Sequence, residues 1–165
     1  MVKRPPDGKL STAAATGAEF SDLTTEECEA LLARTHVGRI AYVLESGADI
    51  EPIGYVFDRT WLFGRTSPGT KLTALGHRPW VAFEVDEVEG RFDWQSVVVH
   101  GSFRVLASEG SEHDVRLYER AEQMVKSVDP LVGTKDDQAS FRTVMFGIHI
   151  DDMVGRRARS HSPRE

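Results

Sequence analysis

Arg65 and Lys71 flank a run of small and hydroxylated residues, Thr66-Ser67-Pro68-Gly69-Thr70, which follows the apolar stretch Leu62-Phe63-Gly64. Such a strand-to-helix turn is suited to an anionic phosphoryl group. Ser67 can serve as N-cap, Pro68 fits the first helical position, and Gly69 with Thr70 leaves backbone amides facing the positive end of a short helix. A phosphomonoester carries close to two negative charges, which Arg meets with a bidentate fork and Lys with a point charge. No other titratable cluster competes. His36, His77, His100, His113, His149 and His161 are dispersed without metal-ligand spacing, so no metal site is expected. The acidic pairs Glu26-Glu27, Asp136-Asp137 and Asp151-Asp152 read as helix caps or solvated loop residues.

The elements that must hold this turn can be read from period and punctuation. A helix begins at Thr24, where Thr24 with Glu27 makes a capping box and Leu23 with Cys28 a hydrophobic staple. Cys28, Leu31 and Leu32 then share one buried face, which makes the lone thiol a packing group. Strands follow at short spacing over Gly38–Leu44, Ile50–Phe57 and Trp61–Arg65. The short helix is expected from Pro68 to Leu75, ending at Gly76, and β structure resumes at Trp80–Val85 and Trp94–Leu106. Between those two, Asp86 to Asp93 reads as an acidic loop. Ser111 with Asp114 opens a last helix carrying Val115, Tyr118, Ala121 and Val125. The alternation Val144, Phe146, Ile148, Ile150 marks a half-buried final strand.

Six strands and three helices that do not alternate argue against a doubly wound parallel sheet. They predict a mainly β protein, an antiparallel barrel with peripheral helices. The 165 residues, 40% apolar and 28% charged, suit one folded unit. That unit is expected over residues 20–157, between a disordered tail at 1–19 and a flexible tail at 158–165. A net charge of −6 argues against nucleic acid or an anionic membrane as partner. One cysteine permits no internal disulfide, and no apolar run approaches the length of a membrane span. A cytoplasmic protein is expected.

Five blocks in this order resemble a known family: Gly38-Arg39-Ile40-Ala41, Pro52-Ile53-Gly54-Tyr55, Arg65 to Leu72, Val81 to Asp86, and Trp94-Gln95-Ser96-Val97-Val98-Val99-His100-Gly101. Together they are similar to the pyridoxamine 5′-phosphate oxidase-like, FMN-binding split β-barrels. The resemblance implies a homodimer with two FMN sites at the subunit interface. It implies that Arg65, Thr66, Thr70 and Lys71 hold the phosphate, that the backbone of Ile53 and Gly54 lies along the isoalloxazine ring, and that Trp94 and Ser96 approach the flavin. Gly54 stands where many relatives have Asn. No Trp follows Trp94, and the chain ends its last apolar segment in Gly155-Arg156-Arg157. This departs from the substrate motif of true pyridoxamine phosphate oxidases and resembles a less characterised branch, in which Arg156 reaches the partner's flavin.

The function so implied is an FMN-dependent oxidoreductase acting on a small organic substrate. Its flavin supplies the redox chemistry, so no side chain is assigned as a catalytic base. Two alternatives come with the same fold. One is a reductase using the deazaflavin F420, and the other a non-catalytic flavin or haem carrier, with His36 and His149 as the residues nearest a haem.

Overall fold

The computed structural model describes residues 17–160. The chain runs β1 (Glu19–Asp22), α1 (Thr25–Arg34), β2 (Val37–Leu44), β3 (Gly47–Gly54), β4 (Val56–Asp58), β5 (Trp61–Thr66), α2 (Thr70–His77), β6 (Trp80–Gly90), β7 (Asp93–Val105), α3 (Glu112–Val128) and β8 (Val144–Arg159). All eight strands pair antiparallel in one sheet of order β3-β2-β6-β7-β8-β5-β4, with β1 added beside β8. The mainly β, antiparallel expectation holds, and the architecture is that of a split barrel.

The strand count departs from six for reasons that lie in pairing. The run expected as one strand over Ile50–Phe57 is broken at Tyr55, where the chain leaves β2 and takes up β5. Tyr55 is anchored there: its amide donates to His36 O, and its hydroxyl donates to Leu32 O and bonds Thr35 Oγ1. The acidic segment from Asp86 belongs to β6 and β7, a ribbon that turns at Arg91-Phe92. Its carboxylates find cations: Arg39 pairs with Asp86, and Arg34 with Glu87 at 2.6 Å. β1 carries no strand pattern of its own and exists because Glu19–Asp22 complete the edge of Arg156–Arg159. Strand β8 therefore continues past Arg157 through Ala158 and Arg159, and the ordered unit begins before residue 20. Residues 1–16 and 161–165 of the expected tails, His161 among them, lie outside the described residues.

The capping box at Thr24 forms as expected, and Cys28, Leu31 and Leu32 are buried. They cover the interior of the curled sheet, where Ile40, Phe83, Val97, Val99, Phe146 and Ile148 are fully enclosed. On the other face of β5 and β8, α3 lays Leu117 and Ala121 over Phe63, Val56 and Met145. Alternation along β5 thus sends Leu62 to one core and Phe63 to the other. Among the described residues no helix is long and apolar enough to cross a membrane.

The open seam of the barrel fixes the site. The edges of β3 and β5 approach at two glycines without a ladder between them. A Cβ on Gly64 would stand 2.5 Å from Gly54 O and 2.6 Å from Phe146 Cζ. Only the missing side chain lets the two edges close this far.

Candidate functional site

Strand β5 ends in Arg65 and Thr66, and α2 starts at Thr70. Its N-cap is Gly69, whose extended dihedrals (φ 163°, ψ −172°) delay the helix by two residues relative to the expected start at Pro68. Ser67 is consequently a turn residue and not the cap. Gly69 has no side chain to bond the first-turn amides, and that turn contains no acidic residue. The Leu72 amide already donates to Gly69 O, whereas the amides of Thr70 and Lys71 have no intrahelical acceptor and lie at the positive end of the helix dipole. A cleft of about 380 Å³ opens beside them, lined by Glu51, Ile53, Arg65, Thr66, Lys71 and Arg142 among others.

Strand β3 forms one wall of this cleft and is an edge strand. Tyr55 N bonds His36 O, so in the alternating ladder with β2 the backbone groups of Gly54, opposite Val37, point away from β2. Pro52 has the same outward phase, where a missing N–H costs no ladder bond. A Cβ on Gly54 would meet only His36 O at 3.8 Å and Arg142 Nη1 at 3.9 Å. The backbone groups of Gly54 therefore face the seam toward β5, next to the buried side chain of Ile53, while the space a Gly54 side chain would take is bordered by Arg142.

Both expected cations carry carboxylate partners that the linear sequence does not reveal. Arg65 donates from Nη1 to Asp137 Oδ2 at 2.8 Å and from Nη2 to Asp137 Oδ1 at 3.1 Å. Asp137 also accepts from the amides of Gly133 and Ala139, and its side chain is only 3% exposed. The Arg65 guanidinium and these two amides hold the Asp137 carboxyl well below the usual carboxylate range. The expectation that Asp137 caps a helix or is solvated is thus corrected: it is a buried ion-pair partner. Lys71 Nζ lies 2.5 Å from Glu51 Oε1, an electrostatic contact without hydrogen-bond alignment. The local chain around Asp137 gives no signal of this, since Arg65 is 72 residues away and the pairing exists only once the loop after α3 folds back over β5.

The second group of expected residues lies elsewhere. Ser96 and Arg156 are direct cross-strand partners on β7 and β8, and Trp94 sits two positions along β7 on the same face. Trp94 meets the Phe20 ring edge-on at 6.3 Å, and Arg156 Nε is 4.0 Å from Asp22 Oδ1. Arg65 is opposite Met145 at the other end of β8. Met145 and Arg156 are separated by roughly 36 Å of extended strand at about 3.3 Å per residue. Within one chain, Ile53, Gly54, Arg65, Thr66, Thr70 and Lys71 come together, and Trp94, Ser96 and Arg156 form a separate group. His149 is beside Trp61 and Asp151, away from both, whereas His36 lines an apolar pocket next to Gly54. Among the described residues no three His, Cys, Asp or Glu side chains converge as a metal site.

A model of the family described as pyridoxamine 5′-phosphate oxidase matches residues 24–157. The chain belongs to this family. An uncharacterized protein of Rhizobium meliloti (strain 1021) is 26% identical over 142 residues, covering 82% of this chain and 93% of its own. Among solved members of the fold, a FAD-binding protein from Mesorhizobium loti superposes with a TM-score of 0.68 at 25% identity, covering 87% of this chain and all of that one. The FAD binding protein from Mycobacterium smegmatis gives 0.58 at 26% identity, covering 84% of this chain and all of that one. A FAD and heme binding protein from the same organism gives 0.58 at 16% identity, over 88% of this chain and 76% of its own, and shares the fold.

The donor set fits a flavin nucleotide on structural grounds. Uncapped amides at α2, the Arg65 and Lys71 cations and the Thr66 and Thr70 hydroxyls surround a cleft whose lining extends to Ile53, beside Gly54 on the edge strand β3. A phosphoryl group needs the first set, and a planar ring needs the second.

Proposed function

We propose that this protein is a flavin-dependent oxidoreductase that binds the FMN moiety at the β5–α2 turn and acts on a small organic molecule. The observation carrying this reading is the adjacency of an uncapped helix start, Arg65 and Lys71 to the edge strand β3 at Ile53. Bound flavin would supply the hydride chemistry. This chain's residues would do the rest. Arg65, Lys71, Thr66 and the amides of Thr70 and Lys71 would fix the phosphoryl group. The edge of β3 would lie along the ring. Departures at the C-terminal segment, with no Trp after Trp94, speak against pyridoxamine phosphate as the substrate.

Homodimer formation belongs to the same proposal. Trp94, Ser96 and Arg156 form a surface that cannot meet the phosphoryl cleft of its own chain, so a second copy would have to bring the two groups together. The outer face of β2, β6 and β7 offers a docking surface, with Trp80 and Val43 exposed around a hollow of about 390 Å³. A cytoplasmic setting completes the reading, in keeping with a single buried thiol.

A second reading concerns the cofactor's length. The two solved relatives at 25% and 26% identity are described as FAD-binding, which favours a dinucleotide whose FMN half occupies the cleft. Purified protein should be yellow, and chromatography of the released cofactor should give FMN or FAD. A colourless preparation that binds neither on titration defeats the flavin reading, and F420 binding or a Soret band would replace it. Anaerobic reduction of the flavin-loaded protein by NADH or NADPH, followed by acceptor screening, separates an enzyme from a carrier.

A further inference from the structure

The charge balance of the cleft does not rest where the sequence places it. Arg65 has both terminal nitrogens committed to Asp137, and its side chain is 13% exposed. Lys71 is matched by Glu51. These two pairs nearly cancel, and Glu51 is itself a repulsive neighbour for a phosphoryl group. One charged group of the cleft lining is left over, Arg142.

Arg142 lies in the loop between α3 and β8. Its backbone is fixed: the amide donates to Ala139 O, and the carbonyl accepts from Arg65 Nη1 at 3.4 Å. Its guanidinium has neither a carboxylate within 4 Å nor a hydrogen bond among the described residues. It stands over the exposed ring of Phe141, 5.7 Å away. Asp129, the one carboxylate lining the adjacent pocket beside Arg65 and Arg142, accepts from Leu131 N and pairs with no cation there. Arg142 borders both the phosphoryl cleft and that apolar pocket of about 190 Å³, and its Nη1 stands over the open space at Gly54.

We infer that Arg142 is the principal anion-recognising side chain of this site, binding the phosphoryl group in the cleft it lines together with Thr66, Thr70 and Lys71, while Arg65 serves chiefly to hold the loop that carries it. The inference rests on the flavin reading for the identity of the ligand but not for its charge. A phosphate at this point would gain a charge-assisted, bidentate contact that no carboxylate of the chain already fills. Sequence alone hides the residue, because Arg142 is separated from the turn at Arg65 by more than half of the family-matched chain and becomes a neighbour only through the β5–β8 pairing.

The test compares FMN with riboflavin, which lacks the phosphate, on the full chain. Removal of a charge-assisted hydrogen bond predicts that Arg142→Ala weakens FMN binding about 10- to 100-fold, with riboflavin affinity and the melting temperature of the unliganded protein unchanged. Arg142→Lys should lose less than Arg142→Ala. Equal weakening of FMN and riboflavin, or unchanged FMN affinity, overturns the assignment. If Arg142→Ala melts early, Arg142→Lys carries the comparison, and an equal loss of both ligands again overturns it. Should the wild-type protein bind neither flavin, the flavin reading fails separately. Inorganic phosphate then decides: stabilisation of wild type that is absent in Arg142→Lys and Arg142→Ala upholds the assignment, and equal stabilisation of all three rejects it.

Discussion

At the β5–α2 turn each expected cation is matched by a carboxylate of the same chain, Arg65 by Asp137 and Lys71 by Glu51, whereas at the far end of β8 Arg156 is half exposed and reaches only Asp22, 4.0 Å away. The first region is pre-assembled. Its cations are held in place before any ligand arrives, and the loop after α3 is pinned over β5 by the same ion pair. The second is a ladder of side chains, Trp94 and Ser96 facing Ala158 and Arg156, with nothing of its own chain to act on. A buried, hydrogen-bonded pair fixes geometry because breaking it strands a charge, while an exposed pair adds little and leaves its side chains free. The contrast separates residues that can be tested in one chain from residues whose role depends on a second copy.

The largest effect that would break this comparison comes from Arg65→Ala combined with Lys71→Ala. Losing the latch that positions Arg142 together with the Lys71 charge at the turn should lower flavin phosphate affinity on the order of 10²-fold or more. Purification of the double variant with stoichiometric flavin would refute the cradle. Next, Gly64→Ala and Gly155→Ala probe the backbone beneath the two regions. An added Cβ meets Gly54 O at 2.5 Å in the first and Cys28 Sγ at 2.5 Å in the second, so each should cost about 1–3 kcal/mol in urea unfolding. Only Gly64→Ala should also weaken flavin binding, since it separates β3 from β5. Equal flavin affinity in the two variants would show that the seam does not shape the site.

Asp137→Asn tests the latch through pH. The carboxyl is held below its ordinary value of 3.8, chiefly by the Arg65 guanidinium. A lowered native value means that the ion pair contributes its full stability above the unfolded-state value and loses it as pH falls toward the native one. The wild-type advantage in melting temperature should thus be constant near neutrality and shrink below about pH 4. A gap that persists unchanged to pH 3 would contradict the assignment. The smallest effect is expected for Arg156→Ala, whose loose exposed pair predicts a stability change under about 0.5 kcal/mol. If flavin binding also survives, this arginine has no part in the site; if it falls while stability holds, the far end of β8 reaches a flavin on another copy.

Local chemistry made much of this protein readable. The capping box at Thr24, the apolar faces of α1 and the alternation of β8 follow from side-chain period and backbone hydrogen bonding, which act over a few residues. The types at Arg65 to Lys71 marked the turn as a candidate anion site for the same reason. What the chain could not display locally was pairing. The strand nature of Glu19–Asp22, the break at Tyr55 and the continuation of β8 to Arg159 depend on which edge lies alongside. The burial of Asp137 against Arg65 and the arrival of Arg142 beside Gly54 arise only when β5 and β8 are zipped together. Charge compensation is a property of distance in space, so the sequence supplied the ions and the tertiary structure decided which of them remain free to bind.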